Sequence, residues 1–524
     1  MRLTGTWPAG LESAFHRYED ALMRDDAAVL DELFEPGPDT LRGDGAGVLR
    51  GHEQISAFRS ARGGVARRAL IGVDVQVLGP DAVLVVGESR FLDGGRGLQT
   101  QLWCRTDGSW RIRTAHVTGR ALAFDRSVWR VLGDPLVPGS GSGPLAGVCV
   151  AVKDLIAVRG QVVGAGNPTW QAEADIEDEH APAVAMLLDA GAEVTGIARS
   201  DEFAYALAGR NAHSGTTPNG AAPRRIGGGS TSGSASAVAL GQADLGLGTD
   251  TAGSLRVPAS YQGLWGLRTT HGAVSRKSVL PLAQTFDTVG WLTRGPELLR
   301  HVAGIAFGDP VEPQREAEDP LVRGDSLLLS DALLDAAEPG TRSAFLAWVE
   351  RVGRPVRSVV LPDLDDLAET LRVVQAAEAH RNHGDWVAAH PGALGADVAE
   401  RFAAAASVTA EQESAARARL VELRTVLRRV VGNGVLAFPT VPGPAPDRTA
   451  DTAAVLVTRR ATLRMTSVAG VGGLPAVSIP ALRVDDAPVG VCLVGPAGAD
   501  LALVDLAIDL ARATTPEAAP ATCP

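Results

Sequence analysis

Lysine is scarce in this chain of 524 residues, because only Lys153 and Lys277 among its 49 basic residues are lysines. Arginine therefore occupies almost every position where a positive charge suffices. A buried lysine can lose its proton and act as a base, whereas arginine stays protonated. The two lysines are either chance survivors in an arginine-rich chain or residues with a special role, and composition alone leaves both interpretations open.

Cysteine is also scarce, and the four cysteines lie far apart. They are Cys104, Cys149, Cys492 and Cys523. No CxxC pair occurs, so neither a disulfide framework nor a zinc knuckle is indicated. We expect small buried residues, with Cys523 in a tail. Because His213, His380 and His383 lack HExxH or comparable ligand spacing, we predict no metal and no cofactor.

Long apolar runs and basic clusters are absent as well. Hydrophobic residues make up 45% of the chain, yet no stretch reaches the roughly 18 uninterrupted apolar residues that a membrane helix needs. The amino terminus has no apolar signal core. The net charge is −12, without the concentrated basic surface that binds phosphates. We therefore expect a cytoplasmic protein with a small-molecule partner, and neither nucleic acid nor membrane.

Residues 1–122 have the pattern of a small α+β domain. Apolar residues at helical spacing predict a helical hairpin over 11–34 and a third helix over 51–62. Strand patterns follow near 70–78, 82–91, 98–106 and 109–118. Alternation in the last strand places Ile112 and His116 on the same face.

The rest of the chain has a different pattern. From residue 144, apolar strands alternate with alanine-rich helices, which predicts an α/β core with a mixed sheet covered by helices. The stretch 123–143 ends in PGSGSGP, a composition typical of a linker. We assign 144–513 to a catalytic domain and 514–524 to a loose tail.

Three segments of the second domain carry candidate chemistry. They are AVKDLIAV around Lys153, IGGGSTSGSASAVAL at 226–240 and LGLGTDTAGSLRVPASYQGLWGLR at 245–268. The chain has no Gly-Lys dipeptide, which excludes a Walker loop, and these segments contain neither a Rossmann fingerprint nor a GxSxG elbow. For the glycines and serines alone, a tight turn with helix caps remains the alternative.

These segments resemble the amidase-signature family, whose core reads roughly GGSSGGSA and then GTDxGGSxRxPA, after a lysine in a VKD strand end. Here the core reads GGSTSGSA and GTDTAGSLRVPA. Ser254 follows Ser230 by 24 positions and Ser230 follows Lys153 by 77, as in the family. The resemblance extends from about residue 144 to 512 and implies a serine amidohydrolase.

The resemblance implies a Ser-cisSer-Lys triad. Ser254 matches the nucleophile, Ser230 a bridging serine held by a cis peptide after Gly229, and Lys153 the terminal base. A lysine buried without a carboxylate partner can be neutral near neutral pH. Ser230 would then relay the proton of Ser254 to Lys153 and back to the leaving amine, with an acyl-enzyme between the two half-reactions.

The turn TDTAGS is expected to stabilise the developing oxyanion. The N–H groups of Thr251, Ala252 and Gly253, together with that of Ser254, would donate hydrogen bonds to it. Close approach of the substrate is possible because the residues are small.

Other positions are expected to support the triad. Asp250 and Arg256 match a supporting ion pair of the family, and a solvated surface pair is the alternative. Thr231 replaces the family's second serine and Ser232 the following glycine. Thr231 keeps a hydroxyl, so we expect activity to be retained.

The first domain resembles the cone-shaped NTF2-like superfamily, in particular proteins similar to 1,3-dicarboxyurea decarboxylase. The pocket positions of that group match Tyr18 and Arg42, with Arg59 and His116 as further candidates. The usual tyrosine after the arginine is Gly43 here. The resemblance implies either a second small-molecule pocket or a dimerisation module, and hence a homodimer.

The resemblance also bears on the substrate. Residues 201–220 are similar to the matching stretch of 1-carboxybiuret hydrolases, which act in the step before that decarboxylation. A carboxylated urea or biuret-like amide is the substrate class that this implies. Two alternatives stay open, a generic aliphatic or aromatic amidase and a non-hydrolytic subunit of an amidotransferase-type complex.

Overall fold

The structure is a computed structural model that describes residues 2–44, 47–60, 68–91, 96–117, 125–308 and 326–514. The chain divides into two units. The first comprises Met1–Asp125 with Val131–Asp134, and the second Arg126–Arg130 with Pro135–Pro524. The residues 515–524 of the predicted tail, Cys523 among them, lie outside the described residues, as do the first two residues of the predicted linker.

In its described residues the first unit packs three helices against a seven-stranded sheet, which confirms the predicted α+β domain. Its elements are β1 (Arg2–Thr4), α1 (Leu11–Arg24), α2 (Ala27–Leu33), β2 (Leu41–Asp44), β3 (Gly47–Arg50), α3 (His52–Ser60), β4 (Arg68–Gly79), β5 (Ala82–Phe91), β6 (Arg96–Thr106) and β7 (Ser109–Val117). The strand order is β1-β4-β5-β6-β7-β2-β3. Leu11, Phe15, Tyr18 and Leu22 form the buried stripe of α1, because residues three or four apart share one helix face.

The predicted position of His116 is wrong, because β7 is irregular. Trp103 of β6 pairs with Ile112 and Leu102 pairs with Thr114, so one residue of β7 is skipped. An extra residue in one strand reverses the alternation of side chains beyond it. His116 is consequently exposed, on the face opposite to Ile112.

The second unit is built on an eleven-stranded mixed sheet covered by helices, as predicted for the α/β core. Its elements are β8 (Trp129–Val137), β9 (Cys149–Lys153), α4 (Pro168–Glu173), α5 (Pro182–Asp189), β10 (Glu193–Ala198), β11 (Arg210–Asn211), β12 (Gly215–Thr216), α6 (Ser232–Ala239), β13 (Leu245–Asp250), α7 (Arg256–Gln262), β14 (Trp265–Arg268), β15 (Thr288–Thr293), α8 (Pro296–Phe307), β16 (Leu327–Leu329), α9 (Asp331–Asp335), α10 (Pro339–Val352), β17 (Val356–Ser358), α11 (Leu364–Ala389), α12 (Ala396–Ala406), α13 (Ala410–Val431), β18 (Val435–Pro439), α14 (Thr452–Gly472), β19 (Ala476–Val484), β20 (Ala487–Val494) and α15 (Asp500–Thr514). The large sheet has the order β17-β16-β18-β20-β19-β14-β15-β13-β9-β10-β8, and β11 and β12 form a separate ribbon. None of the described helices is long and apolar enough to cross a membrane.

The predicted linker at 123–143 contains a strand, so its boundaries need correction. β8 is the edge strand of the large sheet. Just before it, the Val128 carbonyl accepts a hydrogen bond from the Arg199 N–H at 2.7 Å. Arg130 Nε lies 2.7 Å from Asp154 Oδ1, beside the catalytic candidate Lys153. An edge strand needs only one hydrogen-bonded neighbour, and the Gly- and Pro-rich composition of the segment concealed it.

Two parallel strands bring the candidate motifs together. β13 pairs in parallel with β9, with Leu247 opposite Val152. The carboxyl ends of parallel neighbours meet at one edge of a sheet, where ligands bind in open α/β folds. Lys153 at the end of β9 and Thr249 near the end of β13 therefore lie side by side.

Candidate active site

Lys153 is fully buried, and hydroxyl groups surround its amine. Nζ lies 2.9 Å from Ser230 Oγ, 3.1 Å from Thr231 Oγ1 and 2.8 Å from Thr249 Oγ1. All these partners are uncharged. Thr249 was missed in the sequence, where its place inside the GTD motif was the only signal.

Burial sets the protonation of this lysine. It lowers the pKa of Lys153 to about 7, against the opposing influence of nearby aspartates. The amine is therefore partly neutral at neutral pH and can accept a proton. Lys277 differs, since it is exposed and pairs with Glu179 at 3.0 Å. Of the two lysines, Lys153 is therefore the one that is buried with a lowered pKa, and Lys277 is an exposed surface residue.

Ser230 and Ser254 lie on turns that are joined through the backbone. The Gly229-Ser230 peptide bond is cis. The Thr231 N–H donates to the Ser254 carbonyl at 3.2 Å. Ser254 is buried between β13 and α7. The structure thus brings both serines and Lys153 into one buried region at the carboxyl edge of the sheet.

The turn before Ser254 differs in one respect from the predicted oxyanion site. The Gly253 N–H donates to Asp250 Oδ1 at 2.9 Å and is therefore already engaged. The Asp250 carboxylate thus occupies one of the four predicted donors. We still predict that the N–H groups of Thr251, Ala252 and Ser254 donate hydrogen bonds to the oxyanion. Gly253 itself has a φ of 127°, a conformation that other residues rarely adopt.

The predicted pair of Asp250 and Arg256 is buried and includes a third residue, Arg268. Arg256 Nη2 and Arg268 Nη1 each lie 3.0 Å from Asp250 Oδ1, and all three side chains are fully buried. Burial favours the neutral carboxyl, but the charges of the two arginines hold the pKa of Asp250 well below its usual range. The network fixes the turn that carries the nucleophile candidate, and a solvated surface pair is ruled out.

Two further buried aspartates were missed in the sequence. The Asp201 N–H donates to the Ser230 carbonyl at 3.2 Å, and the Asp201 carboxylate accepts from the Gly209 N–H at 3.1 Å. Asp287 Oδ1 accepts from Thr251 Oγ1 at 2.6 Å. Burial raises the pKa of both aspartates to about 6. Their only sequence signal was an acid within an apolar stretch, DEFA and TFDTV.

Gly229 has a steric role next to the bridging serine. A Cβ atom at Gly229 would collide with the Asp201 carboxylate oxygen Oδ2. Only glycine therefore lets the backbone before Ser230 approach this carboxylate.

In the first unit, three of the four predicted pocket residues are buried together. Tyr18, Arg42 and Arg59 are each less than a tenth exposed. Burial and the charge of Glu19 raise the pKa of Tyr18, while the arginines around it act in the opposite direction. His116 does not belong to this group, because the irregularity in β7 turns it outward.

The described residues offer no site for a resident metal. No group of three or more His, Cys, Asp or Glu side chains among them could hold an ion. Cys104, Cys149 and Cys492 are free thiols. The groups that the site offers for chemistry are its hydroxyl groups, its lysine and its backbone donors.

Comparison with known proteins agrees with this geometry. The family model described as Amidase matches residues 134–504. This chain belongs to the amidase family. The model described as AtzH-like matches residues 7–121. The amidase thus carries an additional amino-terminal domain of a second family.

Individual relatives support the same assignment. Amidase 1 of Arabidopsis thaliana is 37% identical over 416 residues, which cover 74% of this chain and 98% of that protein. A crystal structure of an amidase, 29% identical, covers 75% of this chain and 93% of its own with a TM-score of 0.66. Another structure, from a vestigial complex that reveals the evolutionary origins of an s-triazine catabolic enzyme, has a TM-score of 0.64 at 29% identity and covers 70% of this chain and 84% of its own. The chain is accordingly an amidase enzyme.

Proposed function

We propose that this amidase hydrolyses a carboxamide through a Ser-cisSer-Lys relay, with Ser254 as nucleophile, Ser230 as proton relay and Lys153 as base. The observation that carries the proposal is the 2.9 Å contact between Lys153 Nζ and Ser230 Oγ in a fully buried setting. A serine hydroxyl becomes nucleophilic only when a neighbour accepts its proton. Lys153 meets that need because its amine is partly neutral.

The proposed reaction has two halves. Ser254 Oγ attacks the amide carbon while its proton passes through Ser230 to Lys153. The N–H groups of Thr251, Ala252 and Ser254 stabilise the oxyanion. The C–N bond then breaks, and the proton returns through Ser230 to the leaving nitrogen, which departs as ammonia. Water cleaves the resulting acyl ester by the same proton path and releases a carboxylic acid.

For the substrate we propose a carboxylated urea or biuret-like amide. Two findings support this class, the AtzH-like domain at residues 7–121 and the likeness to a structure connected with s-triazine breakdown. The alternatives are a generic amidase and an amidotransferase-type subunit. A generic amidase would release ammonia from neutral amides as well, whereas a subunit would release none when purified by itself.

Ammonia release and hydroxylamine trapping test the proposed mechanism together. The purified chain should release ammonia from at least one member of a panel of carboxylated ureides, dicarboxylic monoamides and neutral amides. With hydroxylamine present, the same substrate should give a hydroxamate, because the acyl ester can be captured before water cleaves it. Ammonia without any hydroxamate would contradict the acyl-enzyme, and the absence of ammonia from every amide would favour the subunit alternative.

For the first unit we propose a small-molecule pocket around Tyr18 and Arg42 in a domain that also makes the protein a homodimer. A chain that begins at Arg126 keeps β8 and every proposed catalytic residue, so it should hydrolyse amides within a few-fold of the full rate. It should also elute as a monomer in size-exclusion chromatography.

A chain that begins at Pro144 is the matched comparison. It lacks β8 and the buried Arg130, whose partner Asp154 would be left unpaired, so we expect a lower melting temperature. Loss of activity in a folded chain that begins at Arg126 would show that the first domain completes the active site.

A cytoplasmic location stays a prediction.

A further inference from the structure

A cavity of about 950 Å³ lies along α14 and is unusually rich in arginine. Helices α11 and α12 and the segment 206–212, which includes β11, form its other walls. Six arginines line it: Arg210, Arg372, Arg401, Arg459, Arg460 and Arg464. So many cations around one cavity indicate an anionic occupant, unless each of them already has a partner within the protein.

Most of these arginines do have a partner. Arg372 pairs with Glu369, Arg401 with Asp397 and Arg464 with Asp365, and Arg210 donates to the Ala450 carbonyl. Arg460 is exposed to solvent. The Nε atoms of Arg210, Arg459 and Arg464 are all buried without a hydrogen-bond partner among the described residues. Arg459 differs from the other two because the remaining nitrogens of its guanidinium also form no hydrogen bond or ion pair there, whereas Arg210 and Arg464 have the partners named above.

No carboxylate of the described residues contacts Arg459 directly. Four carboxylates line the cavity, and Asp397 among them raises the pKa of Arg459 from a distance, but its ion pair is with Arg401. Burial, and then the positive charge of Arg401, lower the pKa of Arg459 to about 10, so the guanidinium is still charged at neutral pH. A desolvated cation without a counterion is costly, and the cost is recovered when an anion binds. The planar guanidinium suits a carboxylate in particular, since it can donate two parallel hydrogen bonds to it.

Two walls of the cavity are bonded directly to the catalytic turns. Thr466, farther along α14, donates to the Ala252 carbonyl at 2.6 Å. The Leu207 carbonyl accepts from the Gly229 N–H at 2.8 Å. Arg459 precedes Thr466 by two helical turns, which corresponds to about 10 Å along the helix axis. The walls of the cavity are therefore bonded to the turns that carry Ser230 and Ser254, although the two serines themselves do not line it.

We propose that Arg459 binds the carboxylate of the amide substrate, whose acyl part extends along α14 from Ser254 into the cavity. This inference rests on the proposed function and specifies its substrate class as amides that end in a carboxylate. The separation of about two helical turns favours an acid whose carboxylate is several bonds away from the amide. Within the proposed class a carboxylated biuret, with three atoms between the amide carbon and the carboxylate, fits this description, whereas malonamate and the equally short monocarboxylated urea do not.

A series of monoamides tests the proposal. Malonamate, succinamate, glutaramate and adipamate are compared with the neutral amides of equal carbon number, from propanamide to hexanamide. In the wild type, kcat/KM should favour the acid over its neutral partner increasingly with length. One charged hydrogen-bonded contact is equivalent to about a tenfold to hundredfold difference.

The variant Arg459→Gln should lose that preference, mainly through a higher KM for the longer acids, and keep its rate on the neutral amides. Arg459→Lys should retain part of it, because the charge remains and the bidentate geometry is lost. Arg429→Gln is the matched control, since Arg429 is an exposed arginine in the last turn of α13. This control should behave like the wild type.

Adipate is a dicarboxylate with no amide to cleave. Its binding therefore tests the anion site at Arg459 independently of the proposed amide hydrolysis. Calorimetry should show that Arg459→Gln weakens adipate binding at least about tenfold. Equal losses on acids and neutral amides, or no preference for acids in the wild type, would overturn the role of Arg459 and leave amide hydrolysis intact. If no amide is cleaved but adipate binding depends on Arg459, the anion site stands and the proposed hydrolysis fails.

Discussion

Replacing Lys153 by arginine is expected to lower kcat by at least about a hundredfold, the usual loss when a general base is removed. The substitution preserves the positive charge, and in this chain arginine fills nearly every other cationic position. A guanidinium with a pKa above about 12 cannot accept the proton that Ser230 relays. The variant therefore distinguishes a base from a mere cation.

The pH dependence of kcat in the wild type is a second test of Lys153 as the base. Because burial lowers the pKa of Lys153 to about 7, the neutral base forms as pH rises through that value. The value of kcat should accordingly increase with pH through about 7 and then level off. The Lys153→Arg variant should not show this rise.

Two further variants separate chemistry from folding. Lys277→Arg changes the exposed lysine in the same way and should leave kcat unchanged. Lys153→Met removes the base and keeps an apolar chain of similar length, so it should be inactive and yet at least as stable as the wild type at neutral pH. Between about pH 7 and the ordinary lysine pKa, folding of the wild type requires Lys153 to release its proton, and at lower pH it requires burial of the charged amine. The Lys153→Met variant avoids both costs. Near-normal turnover by folded Lys153→Arg would leave the proposed mechanism without a base.

Replacing Ser254 by alanine is expected to lower ammonia release by at least about ten-thousandfold, because the variant lacks the hydroxyl on which the proposed acyl ester forms. Hydroxamate formation should disappear with it. The change removes one buried oxygen and leaves the network around Asp250 in place, so the melting temperature should change little. Both rates are measured on the substrate that the wild type cleaves best.

A matched control comes from the same motif. Ser234 is also fully buried, and its hydroxyl donates to the Leu247 carbonyl at 3.4 Å, outside the proposed relay. Ser234→Ala should keep activity within a few-fold, whereas Ser230→Ala should lose most of it. A fluorophosphonate should label Ser254, and label found on Ser230 would reverse the proposed roles of the two serines.

Local patterns determined much of this protein. Helical spacing in the first domain and the alternation of strands and helices in the second were sufficient to predict both fold classes, because each depends on the periodicity of neighbouring residues. The motifs around Lys153, Ser230 and Ser254 identified the amidase family, which the family match over residues 134–504 confirms. The residues of that site stay predictions, since only the experiments above test their roles.

Contacts between distant segments decided the rest. The irregularity that turns His116 outward depends on how β6 pairs with β7, and the strand hidden in the predicted linker depends on a sheet edge formed by residues far along the chain. Thr249 contacts Lys153 although 96 positions separate them. Arg459 likewise lacks an ion pair because the carboxylates of α11 and α12 pair with other arginines, Asp365 with Arg464 and Asp397 with Arg401. A sequence pattern records what each residue prefers locally, whereas burial, charge balance and pKa depend on which residues the fold places next to one another.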